Sequence, residues 1–314
     1  MAEFGPYTEA QDVTGLLTPA AIFLTVSVAD HATTGQIKEF LAGMKDLVKN
    51  VNFRDPEFSL TCVVGLGSQL WELLTRAPVP QQLHPFVEIR GQRHVAPATP
   101  GDIFFHLRAN RIDLCFELEK QILDVLGALV QVEDETVGFR YFEARDLLGF
   151  VDGTANPRGQ AQVEAALIGD REPLWSQGSY LMVQKYVHQL GDWEQLSTAE
   201  QEAIIGRTKL SNIELDDAPP AEQKSHKTLS TVEDANGDEM DILRDNMPFG
   251  SPAAGEFGTY FIAYAGDLSV TEEMLRRMVV GDPPGKHDRI LDFSTPVTGC
   301  VFFVPPADFL ASLA

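Results

Sequence analysis

"GDIFFHLRANRIDLCFELEKQI", residues 101–122, and "GTYFIAYAGDLSVTEEMLRRMV", residues 258–279, match element for element. Each opens on glycine, runs through an apolar strand, breaks at a short polar turn and continues as an amphipathic helix. Apolar runs of four to eight residues read as strand, and a 3.6-residue recurrence reads as helix. One strand–helix unit is therefore used twice, and the flanks of each copy extend it.

Around the first copy, "AAIFLTVSVAD" (20–30) predicts a strand and "TTGQIKEFLAGMKDLVKNV" (33–51) a helix. In that helix Ile37, Phe40, Leu41, Met44 and Leu47 share one face, and Thr33 or Thr34 is placed to cap it. A second strand is expected over 57–67, a short helix from Ser68, and a fourth strand in "VGFRYFEAR" (137–145). Around the second copy, "GSYLMVQKYVHQL" (178–190) predicts a strand. "STAEQEAIIGRT" (197–208) predicts a helix with the capping box Ser197/Glu200, and "VTGCVFFVPP" (297–306) the closing strand. Two split strand–helix–strand units imply an α+β fold of two ferredoxin-like halves, 1–146 and 147–314, with antiparallel sheets and helices outside. Residues 209–257 fit neither copy and read as an insertion in the second half. A loop that long inside a compact domain is usually functional or disordered, and its apolar end "ILRDNMPFG" argues against a solvated tail.

Composition narrows the function. The 314 residues are 44% hydrophobic, enough for a large core, and carry no apolar run of membrane-spanning length. Lys and Arg total 24 against 46 Asp and Glu, a formal charge of −22 with no basic cluster, which excludes nucleic acid and anionic membrane as partners. The start "MAEFGPYTEAQDV" lacks the features of a signal peptide, and Cys62, Cys115 and Cys300 are scattered in apolar runs. A cytoplasmic protein is expected. The C-terminal "PPADFLASLA" offers no long tail for docking into a protein shell. The seven histidines show no paired spacing, so no metal site built from protein ligands alone is expected.

Chemistry concentrates in the two irregular segments. "GFVDGTANPRG", 149–159, sets Asp152 in a Gly-Thr-Asn-Pro turn, and turn chemistry by itself explains such a stretch. The 209–257 segment adds an imidazole (His226), a guanidinium (Arg244) and an amide (Asn246). No G-x-S-x-G elbow, H-E-x-x-H, Walker loop or dinucleotide fingerprint occurs.

Over nearly its whole length the chain resembles the dye-decolourising peroxidases, haem enzymes of two ferredoxin-like halves. The resemblance rests on G-x-x-D-G at Gly149, Phe150, Val151, Asp152 and Gly153, continued by Thr154, Asn156 and Pro157. It rests also on the arginine of "DILRDNMPFG" and on a lone histidine before it, His226. The absence of large insertions resembles the compact B-type branch. The resemblance implies a non-covalent haem b, one per chain, since no C-x-x-C-H occurs. It implies His226 as axial ligand of the haem iron, with Asp288 accepting its other N–H. Asp152 is implied as the proton shuttle and Arg244 as its electrostatic partner, with Asn246 holding a water or orienting Asp152. Gly153 belongs to the haem-binding turn, and Arg207 is a candidate partner for a haem propionate, or simply a helix-end cation. Asp245, beside Arg244, is expected to point away from it. Aromatic residues such as Tyr141, Trp175 and Trp193 are candidates for electron relay or plain core.

The expected function is reduction of hydrogen peroxide with oxidation of dyes, phenols or similar small reductants. A haem-handling protein without peroxide turnover is the alternative. A carboxylate base titrates below an imidazole (roughly 3.9 against 6.5), so turnover is expected to peak on the acid side. Exposed sheet edges and faces make a homodimer or larger homo-oligomer the expected assembly.

Overall fold

A computed structural model describes residues 5–314. Ten strands form one antiparallel sheet. Along its path the order is Val130–Phe139, Ala20–Val28, Ile103–Ala109, Thr61–Leu66, Cys300–Val304, Ser179–His188, Glu256–Ala265 and Leu243–Arg244. Met247–Ser251 also pairs with Glu256–Ala265, and Ser294–Pro296 with Ser179–His188. The first four strands on the path come from one half and the rest from the other. The halves meet where Phe303 pairs with Leu66, so the two antiparallel sheets are continuous. Met247 packs on Gly138, where an added Cβ would lie 2.8 Å from the Met247 Cβ, so the sheet curls until its ends touch.

Alternation along the strands sorts side chains onto two faces. The inner face is aromatic: Phe23 stacks on Tyr260 at 4.1 Å between centroids, and Phe104 on Phe302 at 5.5 Å. The outer face of the first half is covered by helices Thr34–Asn52 and Ile112–Leu126 in one apolar core. The first of these is capped by Thr33, which forms the reciprocal capping box with Gln36. In the second half the corresponding helix, Thr198–Ile205, has only eight residues and packs away with Leu148, Phe150 and Trp193. Its Ser197/Glu200 capping box forms as the sequence predicts. Helix Leu268–Val280 covers only part of this face, and the space left over is the site described below.

Three sequence expectations need correction. The fourth strand is Val130–Phe139, not 137–145; its acidic run Glu133, Asp134, Glu135 hides a strand that pairs with Ala20–Val28 through a bulge at Thr25/Val26. The second strand begins at Thr61 rather than 57, because Phe58 turns the chain at φ 49°. The stretch 209–257 is not wholly an insertion. Leu243–Arg244 and Met247–Ser251 lie in the sheet, interrupted by Asp245 and Asn246. They supply the strand missing from the second copy.

Candidate functional site

Alternation on strand Ser179–His188 points Leu181 and Val183 into the inner core and Met182, Gln184, Tyr186 and His188 outward. Above these lies a cavity of about 570 Å³, within the roughly 300–1,000 Å³ of small-molecule and cofactor sites. Residues 205–231 and helix Leu268–Val280 wall it. Its lining sets apolar side chains (Met182, Phe261, Met274, Leu275, Ile290) beside many polar and charged ones, among them Asp152, Gln184, Lys224, His226 and Arg244, which suits a ligand with a flat hydrophobic body and charged substituents.

His226 opens the short helix His226–Leu229, capped by Ser225. Its Nδ1 lies 2.6 Å from Oδ2 of Asp288, which is fully buried; Asp288 Oδ1 also accepts from the Ile290 amide at 3.0 Å. Burial works against the imidazolium, but the charge and hydrogen bond of Asp288 outweigh it and raise the pKa of His226. Among the described residues no group bonds Nε2, which is left to the cavity. His188 also lines the cavity, but both its ring nitrogens are taken, by Ser294 at 2.7 Å and Thr259 at 2.9 Å. His287 does not line it and bonds Asp292 instead. Among the described residues, His226 is the one histidine of the cavity that keeps a nitrogen free for a metal.

The turn with Asp152 depends on glycine. Gly149 (φ 95°) and Gly153 (φ 71°) occupy the left-handed region that side chains disfavour. Asp152 Oδ1 accepts from the Gly153 amide at 2.6 Å and from Asn246 Nδ2 at 3.4 Å; among the described residues its Oδ2 has no donor. Asn246 is oriented by the Ile262 amide, which donates to its Oδ1 at 3.0 Å, so the NH₂ group must face Asp152. Asn156 clamps the Arg244 backbone from both sides, its Oδ1 accepting from the amide at 3.0 Å and its Nδ2 donating to the carbonyl at 2.6 Å. Arg244 pairs with Ala263 on the sheet and extends its side chain to the cavity, where its buried Nε has no partner. Burial depresses its pKa, partly offset by Asp152 and Asp241. Alternation turns Asp245 the other way, and it pairs with Arg108 at 2.9 Å on the inner side. The negative charge is thereby kept off Arg244, as the sequence reading anticipates.

A narrow cavity of about 50 Å³ lies on the far side of this group, flanked by Arg140 and Tyr141, and shares Asp152, Gly153, Arg244 and Asn246 with the large one. These residues form the partition between the two spaces. Arg207 also lines the large cavity, yet its guanidinium already bonds Asn212 Oδ1 at 2.8 Å, the Asn212 carbonyl at 3.1 Å and Glu214 at 2.5 Å. A propionate would have to share or displace these. Trp175, Trp193, Tyr180, Tyr260 and Tyr264 are buried core aromatics.

Sequence reasoning missed Asp146, which lines the large cavity. Burial first, then the charge of Asp152, raises its carboxyl to about 7. Two acids six residues apart in "RDLLGFVDG" were the available signal. It also missed the clamping role of Asn156.

The donor set fits a haem. Among the described residues there is a partly apolar cavity, an imidazole with a free nitrogen and a buried carboxylate behind it, and a guanidinium whose buried Nε has no partner beside a free carboxylate oxygen. Comparisons with known proteins agree. The family described as "Dyp-type peroxidase, N-terminal" matches residues 11–140, and "Dyp-type peroxidase, C-terminal" matches 143–309. A "Dye-decolorizing peroxidase" of Mycobacterium tuberculosis is 52% identical over 97% of this chain and 90% of its own length. One of Brevibacterium linens is 51% identical over 96% of this chain and 81% of its own. Among solved structures, DypB of Rhodococcus jostii RHA1 superposes with a TM-score of 0.93 at 50% identity, covering 99% of both chains, and a variant of it has been solved in complex with haem. The encapsulated DyP-type peroxidase of Mycobacterium smegmatis gives 0.92 at 48% identity, over 97% of this chain and 98% of that one. With both halves matched and relatives this similar along nearly the whole length, the chain belongs to the Dyp-type peroxidase family and is a peroxidase.

Proposed function

We propose that the chain binds one non-covalent haem b in the large cavity, reduces hydrogen peroxide and oxidises dyes, phenols or similar small reductants. The observation that carries this reading is the carboxylate–guanidinium pair Asp152/Arg244 facing the same cavity as the free Nε2 of His226. A carrier that only bound haem needs neither a proton shuttle nor a buried cation.

His226 Nε2 would hold the iron, with Asp288 fixing the ring and strengthening it as a donor. Arg207 would meet a propionate, and the Gly153 turn would let backbone approach the macrocycle. Bound haem supplies the redox-active iron at which peroxide is reduced. On the other side of the cavity, Asp152 Oδ2 takes the proton from one peroxide oxygen and returns it to the other, so that the second departs as water. Arg244 stabilises the charge that develops on the departing oxygen; it cannot lose its own proton and so does not serve as the base. Asn246 holds Asp152 Oδ1, leaving Oδ2 to move the proton. The narrow cavity beside Arg140 and Tyr141 is wide enough for peroxide and excludes larger reductants, which must give up electrons elsewhere.

Several features support the remaining assignments. We place the division between the halves near residue 146. The free cysteines fit a reducing, cytoplasmic setting, and among the described residues no helix is long and apolar enough to cross a membrane. Ile112, Phe116 and Val125 are exposed on one outer helix, supporting a homodimer or larger homo-oligomer.

The test is haem titration followed by peroxide turnover. One equivalent of haem per chain should give a sharp Soret band, and the loaded protein should oxidise a phenolic dye in proportion to peroxide added. A Soret band with no turnover across the pH range would favour haem handling instead.

A further inference from the structure

His94, His287 and Asp292 meet outside the lining of the haem cavity. Asp292 Oδ1 lies 3.1 Å from His94 Nε2 and 2.9 Å from His287 Nε2. The two rings are 4.7 Å apart and tilted by 60°, and the three ligand atoms all fall within 4.8 Å of one another. None of the side chains is more than a quarter exposed, at 20%, 13% and 24%. We propose that these three residues form a second metal site, separate from the haem pocket, that takes a divalent cation of the zinc class.

The geometry asks for little movement. Zinc bonds to imidazole nitrogen and carboxylate oxygen are about 2.0–2.2 Å, so tetrahedral ligand atoms lie roughly 3.3 Å apart. The two nitrogen–oxygen separations are already close to that. Binding needs each neutral ring to carry its proton on Nδ1 rather than Nε2. Among the described residues neither Nδ1 has a partner, so both can donate to solvent. The backbones are held as well, the His94 carbonyl by the Gly91 amide at 2.9 Å and the His287 carbonyl by Gln223 Nε2 at 2.9 Å. Two imidazoles and one carboxylate select zinc, copper or nickel over magnesium and calcium, which prefer all-oxygen sets. Arg289, 3.7 Å from Asp292 Oδ2, keeps that oxygen from the metal and tempers the affinity. Three protein ligands leave a fourth position for water.

The site would join the two halves. His94 sits in the turn between strands Ile89–Arg90 and Val95–Ala96, while His287 and Asp292 flank Asp288, the partner of His226. An ion here would stiffen the segment that holds Asp288. The histidines are 193 residues apart in the sequence, 94 against 287, so no spacing signals them.

The experiment is equilibrium dialysis of untagged holoenzyme against zinc with excess magnesium, read by elemental analysis beside thermal melts. The wild type should hold one zinc per chain and gain a few degrees of Tm at about 100 times Kd. His94→Ala and His287→Ala should lose both the zinc and the shift, while His84→Ala, at a separate surface pair with Glu272, keeps them. His94→Gln retains a donor to Asp292 and guards against simple misfolding; it too should lose zinc at unchanged haem content. Absence of zinc from the wild type, or equal zinc in wild type and both alanine variants, would overturn the site.

Discussion

Purified His226→Ala protein is expected to carry almost no haem after reconstitution, with the loss partly reversed by free imidazole. Among the described residues His226 Nε2 is the one cavity imidazole nitrogen without a protein partner, so its removal takes away the proposed protein–iron bond. The substitution also leaves Asp288, fully buried, with one oxygen unsatisfied, at a cost of about 1–3 kcal/mol. Lower stability alone could reduce haem content, so His226→Ala/Asp288→Asn serves as the companion variant. It removes the stranded charge and should regain stability without regaining haem. Asp288→Asn by itself keeps the ring but weakens its support, and haem affinity should fall roughly 10–100-fold. A His226→Ala protein with full haem and an unchanged spectrum would show that another side chain holds the iron.

Arg244→Leu is expected to bind haem nearly as well as the wild type and to react with peroxide about 10²–10³-fold more slowly, the usual effect of losing one preorganised electrostatic group. The backbone at 244 is held by Asn156 and by pairing with Ala263, neither of which needs the guanidinium. The substitution also removes a buried cation whose Nε has no partner, so the fold should not suffer. Stopped-flow mixing of haem-loaded protein with peroxide measures the second-order constant directly. An unchanged constant would take Arg244 out of the chemistry.

The fold was legible because its signals are local. The repeated strand–helix unit, the Thr33 and Ser197 caps and the apolar alternation of Ser179–His188 depend on neighbouring residues. The misplaced strands mark where long-range pairing outweighs local preference. Val130–Phe139 carries a run of acids and is a strand because Ala20–Val28 pairs with it; Leu243–Arg244 and Met247–Ser251 are short, interrupted and held by Glu256–Ala265. The site was only partly legible. Gly149 and Gly153 mark a left-handed turn, and alternation alone turns Asp245 from Arg244. By contrast, nothing around His226 in "EQKSHKTLS" indicates a ligand; its proposed role is supported by a contact with Asp288 across 62 residues of chain. Asp146 was missed for the same reason, since its raised pKa comes from burial and from the nearness of Asp152.

The most direct test of the whole account is the pH profile of kcat/KM for peroxide, in the wild type beside Asp152→Asn. The wild type should be most active on the acid side, where a carboxylate base remains ionised and an imidazole of ordinary pKa, about 6.5, does not stay neutral. The alkaline limb should fall near pH 7, because Asp146, raised to about 7 by burial and then by the charge of Asp152, gains its own charge there beside Asp152. Asp152→Asn keeps the turn and the bond to Asn246 but cannot move a proton, and should lose roughly 10²–10⁴-fold together with the acid-side maximum. A wild-type optimum at neutral pH, with Asp152→Asn matching it in shape and height, would reduce Asp152 to a turn residue and contradict the mechanism.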